Sequence, residues 1–582
     1  MSARDLPPTT WTTGTTEVFK TGTWRASLPR HVSAPSPCHA ACPVNGDIAH
    51  WIGRARDGDV RGAWEILTRN NPFPAVAGRV CHHPCETACN RAAFDDALAI
   101  CKLERHVGDA ALAQGWSYPA PGLQRPERVA VVGGGPSGLS AAYHLRRRGY
   151  AVTIFEARAE LGGLMRDGIP AYRLPREVLD GEIRRIAALG VEVRCGVAVD
   201  TADAFERLRN GFDAVYLATG ARRQKRLPQL DYSRPWVVDG ASWLARANAG
   251  AVPALGRRLV VIGGGSAAID VARSARRAGH DVTLLSLERE AQMPAQRDEV
   301  EEALEEGVRL VAGAMLTGAA WVEGVGAVLD CVEVDFVAGT ERGTFRVDPV
   351  AGSAFRLEAD AIVPSIGQDP DLAALRHALA TQGALLRVDD RQATSAERVF
   401  AGGDVASMAR FVTEAIGMGK RAALAIDASL RAGVAQPRAA TLPDGATLPQ
   451  DATLPDGRAL AGERLHGPGA ASAREVGFES IASFYHSPAA RASAPRLDAA
   501  QRLAGDAEVQ SGFDDGQALA EAQRCFSCGT CIACDNCFHY CPDLAIRRVP
   551  GGYMVDGDYC KGCGICVREC PTGSMEMVEE VR

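Results

Sequence analysis

Short apolar runs at two places in the chain predict buried β-strands. One begins at Arg128 and reads Arg-Val-Ala-Val-Val, and the other begins at Arg258 and reads Arg-Leu-Val-Val-Ile. Each leads into a cluster of glycines and a helix-compatible segment, and each is followed by a second apolar run, at 152–156 and at 281–285. Strand, glycine turn, helix and strand in this order indicate an α/β unit, so two such units are predicted.

The second α/β unit is predicted to lie inside the first. Two apolar segments suited to completing the first unit, 361–367 and 399–404, come after the second unit. A helix is predicted from Thr413 to Ala423, and another over Asp515–Arg524. Between them, residues 434–470 repeat Ala-Thr-Leu-Pro at six-residue spacing, a composition typical of an extended linker.

Both glycine clusters have the form that binds a dinucleotide. Residues 133–138 read Gly-Gly-Gly-Pro-Ser-Gly, and Glu156 follows 18 residues after Gly138 at the end of the next strand. Such glycines let the backbone approach a pyrophosphate at a helix N-terminus, and an acid about 20 residues on binds a ribose hydroxyl. Residues 263–268 repeat the pattern, with Glu288 after the second strand. Two dinucleotides are therefore predicted.

Cysteines near the C-terminus form two tandem runs. Residues 531–542 and 560–571 both read C-x2-C-x2-C-x3-C-P. In this spacing three thiolates bind one iron–sulfur cube and the fourth reaches a second cube. Zinc knuckles and a disulfide framework are the alternatives, but zinc sites favour longer spacers between ligand pairs. The runs predict one 4Fe–4S cluster on Cys531, Cys534, Cys537 and Cys570, and another on Cys560, Cys563, Cys566 and Cys541.

A second cysteine-bearing segment runs from Pro37 to about His106. Its cysteines recur at four-residue spacing, which is also compatible with buried positions on helices. Their density and the flanking prolines favour cluster ligands instead. The candidates are Cys38, Cys42, Cys81, Cys85, Cys89 and Cys101.

Composition narrows the class of protein. A net charge of -7 gives no indication of a nucleic-acid or membrane partner, and no apolar run approaches the roughly 18 residues of a membrane span. The N-terminal stretch is polar and does not resemble a signal peptide. We expect a cytoplasmic protein whose cysteines hold metal.

The motifs together resemble the glutamate synthase small-subunit family of FAD-dependent NAD(P) oxidoreductases, over roughly residues 37–430. The tandem-cluster end is similar to that of electron-input or output subunits, as in NAD-reducing 2-oxoacid:acceptor oxidoreductases such as phenylglyoxylate dehydrogenase. The resemblance is carried by Gly78-Arg-Val-Cys81, Cys85-Glu-Thr-Ala-Cys89, Leu103-Glu-Arg, Gly168-Ile-Pro-Ala-Tyr-Arg-Leu-Pro175, Thr219-Gly220, Met293-Pro294 and Gly403-Asp404.

The resemblance implies FAD in the outer unit and a nicotinamide nucleotide in the inner one. Asp404 suits hydrogen bonding to a ribityl or pyrophosphate group, and the helix starting near Thr413 could face a flavin carbonyl. The FAD candidates are Gly133, Gly135, Ser137, Gly138, Glu156, Gly163, Thr219, Gly220, Gly403, Asp404, Thr413 and Ala415. The NAD candidates are Gly263, Gly265, Ser266, Ala268, Glu288 and Gly367.

One departure from the family concerns the nucleotide. Aligned on Met293-Pro294, the family commonly places two arginines where this chain has Leu287 and Glu288. Those arginines suit a 2′-phosphate, whereas a glutamate repels it and can bind a free 2′-hydroxyl. NAD(H) is therefore expected rather than NADP(H).

The resemblance also gives a role to Cys525 and Cys528, which the tandem runs leave unused. The phrase 521–529 is similar to one that the family carries before the equivalent of Cys38, and this chain lacks it there. We expect the chain to fold back so that the pair completes a cluster with Cys38 and Cys89; the alternative is two spare thiols. A fourth cluster would use Cys42, Cys81 and Cys85 with Glu104, which the resemblance favours, or Cys101, which cysteine counting favours.

These interpretations predict two nested Rossmann-like domains flanked by two iron–sulfur domains. The predicted order is a disordered arm (1–36), a helical iron–sulfur domain (37–122), an FAD-binding domain in two parts (123–255 and 361–432) around an NAD(H)-binding domain (256–360), a linker and return segment (433–524) and a ferredoxin-like domain (525–582).

The predicted function is electron transfer between NAD(H), FAD and four 4Fe–4S clusters, in a subunit that serves a 2-oxoacid oxidoreductase or ferredoxin. The cofactors carry this chemistry, so no catalytic side chain is predicted. One alternative is an NADPH-dependent glutamate synthase small subunit or ferredoxin:NADP oxidoreductase. The other is a non-catalytic electron-relay scaffold, against which the two intact glycine motifs argue.

Overall fold

The computed structural model describes residues 20–22, 25–340, 343–432 and 474–580. Most of the predicted arm over 1–36 and the repetitive linker over 434–470 lie outside the described residues. No helix within the described ranges is both long and apolar enough to cross a membrane.

The N-terminal region is helical. Pro74 and Pro84 each begin a helix, where a missing N–H costs no hydrogen bond, and the Asp59 carboxylate accepts the Gly62 N–H at the start of another. Trp51 and Trp64 lie in its core. The elements are β1 Ser27–His31, α1 Pro37–Ala41, α2 Ile48–Arg56, α3 Val60–Leu67, α4 Pro74–Val80, α5 Pro84–Thr87 and α6 Ile100–Ala113.

The first part of the outer domain follows. Gly138 lies in its first helix, and a Cβ there would lie 1.9 Å from the Gly133 carbonyl oxygen, so glycine is needed for this helix to pack on the turn. The elements are β2 Arg128–Val132, α7 Pro136–Arg147, β3 Ala151–Glu156, α8 Leu164–Asp167, α9 Arg176–Ala187, β4 Glu192–Cys195, α10 Ala202–Gly211, β5 Ala214–Leu217 and β6 Arg223–Gln224.

The inner domain repeats the strand–turn–helix–strand order and adds an antiparallel sheet. Its elements are α11 Gly240–Asn248, β7 Arg258–Ile262, α12 Ser266–Arg277, β8 Asp281–Ser286, α13 Arg297–Glu305, β9 Arg309–Ala312, β10 Ala314–Val322, β11 Gly326–Ala338, β12 Phe345–Pro349, β13 Phe355–Ala359 and β14 Ala361–Pro364.

The chain then returns to the outer domain and ends in the C-terminal module. The outer elements are β15 Gln368–Asp369, β16 Thr381–Gln382, β17 Leu385–Leu386, β18 Val399–Ala401 and α14 Val412–Ala432. The C-terminal elements are α15 Ala499–Leu503, α16 Asp515–Gln523, α17 Asn536–His539, β19 Ile546–Val549, β20 Gly552–Val555, α18 Ile565–Arg568 and β21 Met575–Glu579.

Two parallel sheets form the centre of the molecule. The outer sheet has the order β18-β5-β2-β3-β4 and the inner sheet the order β14-β7-β8-β9, with every pair parallel. β6 and β15 pair antiparallel where the chain crosses between the domains. The predicted α/β class with one unit nested in the other is confirmed.

Three predicted domain limits need correction. β14 pairs with β7, so residues 361–364 belong to the inner sheet and not to the outer domain, where the sequence placed them. β1 pairs antiparallel with β21, so the end of the supposed disordered arm is a strand of the C-terminal module. Cys525 and Cys528 pack against the N-terminal helices, so the module begins after them.

Candidate functional site

A cavity of about 440 Å³ opens at the carboxyl ends of the outer parallel strands. Ligands bind at this edge in open α/β sheets. Glycines keep it clear, since a Cβ on Gly163 would lie 2.9 Å from the Gly135 Cα. The buried Thr219 hydroxyl has no hydrogen-bond partner among the described residues. Ten predicted FAD residues line the cavity: Gly133, Gly135, Ser137, Glu156, Gly163, Thr219, Gly220, Gly403, Asp404 and Ala415.

Charged side chains that line this cavity are held by neighbouring groups. Glu156 Oε2 accepts the Gly134 N–H at 2.7 Å and Oε1 accepts the Arg158 N–H at 2.8 Å, which holds the carboxylate at the end of β3. Burial raises the pKa of Asp404, and the guanidinium of Arg410, 3.7 Å away, opposes that rise. The polar groups of Glu156 and Asp404, the Thr219 hydroxyl and the space left by the lining glycines fit an FAD-type dinucleotide.

Two of the predicted FAD residues do not line the cavity. Gly138 serves the packing of α7 on the glycine turn. The side chain of Thr413 is directed at the N-terminal domain, with its Oγ1 3.5 Å from the Cys81 Sγ. Its neighbours Val412 and Ala415 line the cavity in its place, so α14 does begin at the predicted point.

The inner glycine turn holds a carboxylate. A Cβ on Gly264 would lie 2.4 Å from Glu288 Oε2, so Glu288 lies directly over the turn formed by 263–265. Ser286 Oγ donates to the same oxygen at 2.6 Å. Ser266 and Ala268 begin and continue α12 behind the turn.

Ser286 is a candidate site residue that the sequence analysis did not single out. The two glycine turns are offset by 130 residues, Gly133 against Gly263, and the same offset takes Glu156 to Ser286 rather than to Glu288. Counting the offset between the two repeats would have found it. Gly367 lies on the crossing between the domains, where its carbonyl accepts the Lys225 N–H, and not on the inner turn.

Fifteen of the eighteen cysteines and one glutamate form four groups. Group I consists of Cys42, Cys81, Cys85 and Glu104, and group II of Cys38, Cys89, Cys525 and Cys528. Group III consists of Cys531, Cys534, Cys537 and Cys570, and group IV of Cys541, Cys560, Cys563 and Cys566. Groups II, III and IV each line a separate small cavity.

Group II joins the two ends of the chain. Arg91 donates to the Arg524 carbonyl oxygen at 2.7 Å, and Arg524 pairs with Asp95 at 3.1 Å. The hydrogen bond from Arg91 holds the pKa of Asp95 well below its usual range. These buried contacts carry the end of α16 to the N-terminal helices and place Cys525 beside Cys89.

Glu104 and Cys101, the two candidates for the fourth ligand of group I, have different surroundings. The Glu104 carboxylate lies close enough to Cys42, Cys81 and Cys85 to raise the pKa of each thiol, and Cys101 has a similar interaction with Cys81. Burial raises the pKa of Glu104 to about 7, which the hydrogen bond from Asn71 Nδ2 opposes. Cys101 instead directs its thiol at the carbonyl oxygen of Gly78, 3.4 Å away.

The cysteines of these groups are free thiols, which suits metal binding rather than a disulfide framework. All eighteen cysteines lie in the described residues, and none forms a disulfide. Burial raises the pKa of Cys42 to about 11 and of Cys525 to about 11, and the iron ions of a cube would favour the thiolate form that binds them.

A dinucleotide cavity, a second nucleotide turn and cysteine groups define an iron–sulfur flavin pyridine-nucleotide oxidoreductase. The chain belongs to the pyridine nucleotide-disulphide oxidoreductase family, which matches residues 127–419. Residues 31–116 match dihydropyrimidine dehydrogenase domain II, 4Fe-4S cluster, and residues 553–576 match the 4Fe-4S binding domain. It is similar to glutamate synthase small subunits, as the sequence resemblance implied.

Curated relatives cover most of the chain. The NADP(+)-dependent formate dehydrogenase subunit beta of Moorella thermoacetica is 35% identical over 85% of this chain and 70% of its own length. The glutamate synthase [NADPH] small chain of Mycobacterium tuberculosis is 33% identical, over 69% and 87%. The NAD-dependent dihydropyrimidine dehydrogenase subunit PreT of Escherichia coli is 33% identical, over 67% and 90%.

Proposed function

We propose that this chain is the NAD(H)-linked subunit of a larger oxidoreductase and exchanges electrons with its partner through four 4Fe–4S clusters. When bound, FAD would exchange a hydride with the nicotinamide and single electrons with the clusters. The partner is a 2-oxoacid oxidoreductase of the phenylglyoxylate type or a ferredoxin. Some of the relatives are named as subunits, which supports the proposal that this chain is part of a complex.

The order of the four groups along the chain carries this proposal. α1 contains Cys38 of group II and ends just before Cys42 of group I, and α5 contains Cys85 of group I and ends two residues before Cys89 of group II. Four helical residues rise only about 6 Å. The chain therefore connects groups I and II within about one helical turn at two places, from Cys38 to Cys42 and from Cys85 to Cys89.

The remaining groups continue the series. Cys528 of group II and Cys531 of group III lie three residues apart, and the Gly529 N–H donates to the Thr572 carbonyl oxygen beside Cys570. Cys537 and Cys541 then connect group III to group IV, whose Cys563 is exposed. The proposed path runs from the FAD cavity through I, II and III to the surface at IV.

Metal and flavin analysis with anaerobic reduction tests the proposal. The full chain is expected to carry about sixteen irons, four for each cube, and one FAD, and NADH should bleach the flavin and then the cluster absorbance. A chain that binds FAD but holds no iron would contradict the electron path. A chain with iron whose flavin ignores NADH and NADPH would support the relay scaffold instead.

The preference for NAD(H) over NADP(H) rests on Glu288. Its carboxylate lies over the inner turn, where it can accept from a ribose 2′-hydroxyl and would repel a 2′-phosphate. Arg289 next to it is exposed and could serve a phosphate, and two of the relatives cited carry NADP or NADPH in their names. Flavin reduction by each nucleotide decides between these readings.

A further inference from the structure

Thr413 joins the outer domain to group I. It stands in the first turn of α14, is almost fully buried, and its Oγ1 lies 3.5 Å from the Cys81 Sγ. The same oxygen lies 3.4 Å from Nδ1 of His82. Electron exchange as proposed above makes no use of this hydroxyl, although Thr413 connects the flavin-binding domain with a proposed cluster ligand.

The direction of the contact depends on the state of Cys81. A free thiol donates its proton to the Thr413 oxygen. A cysteine that binds iron is a thiolate and has no proton to give, so the threonine hydroxyl must then be the donor. In the neutral tautomer protonated at Nδ1, His82 donates to Thr413 Oγ1 and completes a chain from imidazole through hydroxyl to sulfur.

An aromatic stack holds this chain in place. The rings of His82 and Phe411 lie 3.8 Å apart with 12° between their planes. Phe411 also lines the FAD cavity. One pair of rings therefore spans the wall between the cavity and group I and orients the imidazole toward Thr413.

We propose that the Thr413 hydroxyl, oriented by His82, donates a hydrogen bond to the Cys81 sulfur and thereby raises the reduction potential of the cluster at group I. A donor draws negative charge from the sulfur, which favours the more negative, reduced cluster. This inference rests on the proposed function. It makes Thr413 a positioning residue that biases electrons toward the first cluster of the path.

Anaerobic redox titration of the full chain, followed by electron paramagnetic resonance and by flavin absorbance, tests the proposal. Thr413→Val keeps the shape of the side chain and removes the donor. The equilibrium constant for electron exchange between one cluster and the flavin is expected to change about tenfold. This corresponds to a fall of about 59 mV in the one-electron reduction potential of that cluster. The flavin midpoint and the other components should not move.

Two matched variants separate tuning from packing. Thr413→Ser keeps the hydroxyl and should restore the wild-type potential, and His82→Phe keeps the stack but loses Nδ1, so it should give a smaller shift in the same direction. Equal shifts in the valine and serine variants would overturn the proposal. A shift of the flavin midpoint potential alone would also overturn it, because Thr413 would then act at the flavin site, as the sequence predicted.

The same titration separates this inference from the proposed function. A wild-type chain without reducible clusters would overturn both. A wild-type chain with four clusters, none of which responds to Thr413→Val, would overturn this inference and leave the proposed function standing.

Discussion

A single side chain, Glu288, sets the expected nucleotide preference. We predict that NADH reduces the flavin at least about tenfold faster than NADPH at low nucleotide concentration, because a charged acceptor for a hydroxyl contributes about 1.5–3 kcal/mol. Glu288→Arg should shift the preference toward NADPH, and Ser286→Ala should weaken NADH binding by releasing the carboxylate. Stopped-flow flavin reduction with both nucleotides measures each effect.

Glu290→Arg is the matched control for this prediction. It makes the same change of charge two residues further on, at an exposed position, and should leave the preference unchanged. Equal rates of flavin reduction by both nucleotides in the wild-type chain would show that Glu288 does not determine the nucleotide preference. An equal response to the two arginine substitutions would show the same.

The fourth ligand of group I is also a question of one residue. Glu104→Ala is predicted to lower the iron content by about four per chain, because its carboxylate is the group shared by Cys42, Cys81 and Cys85. Cys101→Ala should keep the full iron content, because that thiol points to the Gly78 carbonyl. Iron and sulfide analysis of both variants measures the result; loss of iron in Cys101→Ala alone would reverse the assignment.

At the scale of elements, α16 fastens the end of the chain to the N-terminal domain. Arg524, at its C-terminus, pairs with Asp95 at 3.1 Å and with Glu521 at 2.7 Å, and all three side chains are buried or nearly so. Glu521 also accepts the Ala99 N–H at 2.7 Å. These contacts hold Cys525 and Cys528 in group II.

Breaking this joint should therefore cost both stability and a cluster. Arg524→Ala takes the arginine away from the buried Glu521 carboxylate and leaves Asp95 with Arg91 alone, and we predict a loss of about 3–5 kcal/mol in the free energy of unfolding. Iron content should fall by about four per chain. Arg547→Ala is the control, because Arg547 is 62% exposed in its pair with Asp556 and its loss should cost less than about 1 kcal/mol.

Denaturant unfolding together with iron analysis measures both effects. An Arg524→Ala chain that unfolds at the wild-type denaturant concentration would show that α16 is held by other contacts. A destabilised chain with its full iron content would show that group II closes without this joint.

At the scale of the whole molecule, the two ends of the chain are expected to share one electron path. A chain ending at Gln523 lacks Cys525 and Cys528 as well as groups III and IV. We predict that it keeps only about four irons, those of group I. Metal analysis of the truncated chain, with flavin content as the control for folding of the outer domain, measures this. Retention of about eight irons would mean that the N-terminal pair of clusters forms without the far end.

Patterns that are local in the sequence were sufficient for much of this fold. The apolar runs at Arg128 and Arg258 with their glycine turns gave the two nested parallel sheets, because burial and turn geometry are decided within a few residues. The helix over Asp515–Arg524 is observed as Asp515–Gln523. The tandem cysteine runs likewise specify groups III and IV, because the spacing of ligands in one short loop fixes their geometry.

The tertiary structure decided what depends on distant parts of the chain. Sequence alone left Glu104 and Cys101 open, because one helical turn separates them on α6 and the surroundings of each side chain depend on how α6 packs against α4. The pairing of β1 with β21 and the turn of Thr413 away from the FAD cavity toward Cys81 have the same origin. Each joins residues more than 300 positions apart, and such contacts are set by how whole domains pack rather than by any spacing along the chain.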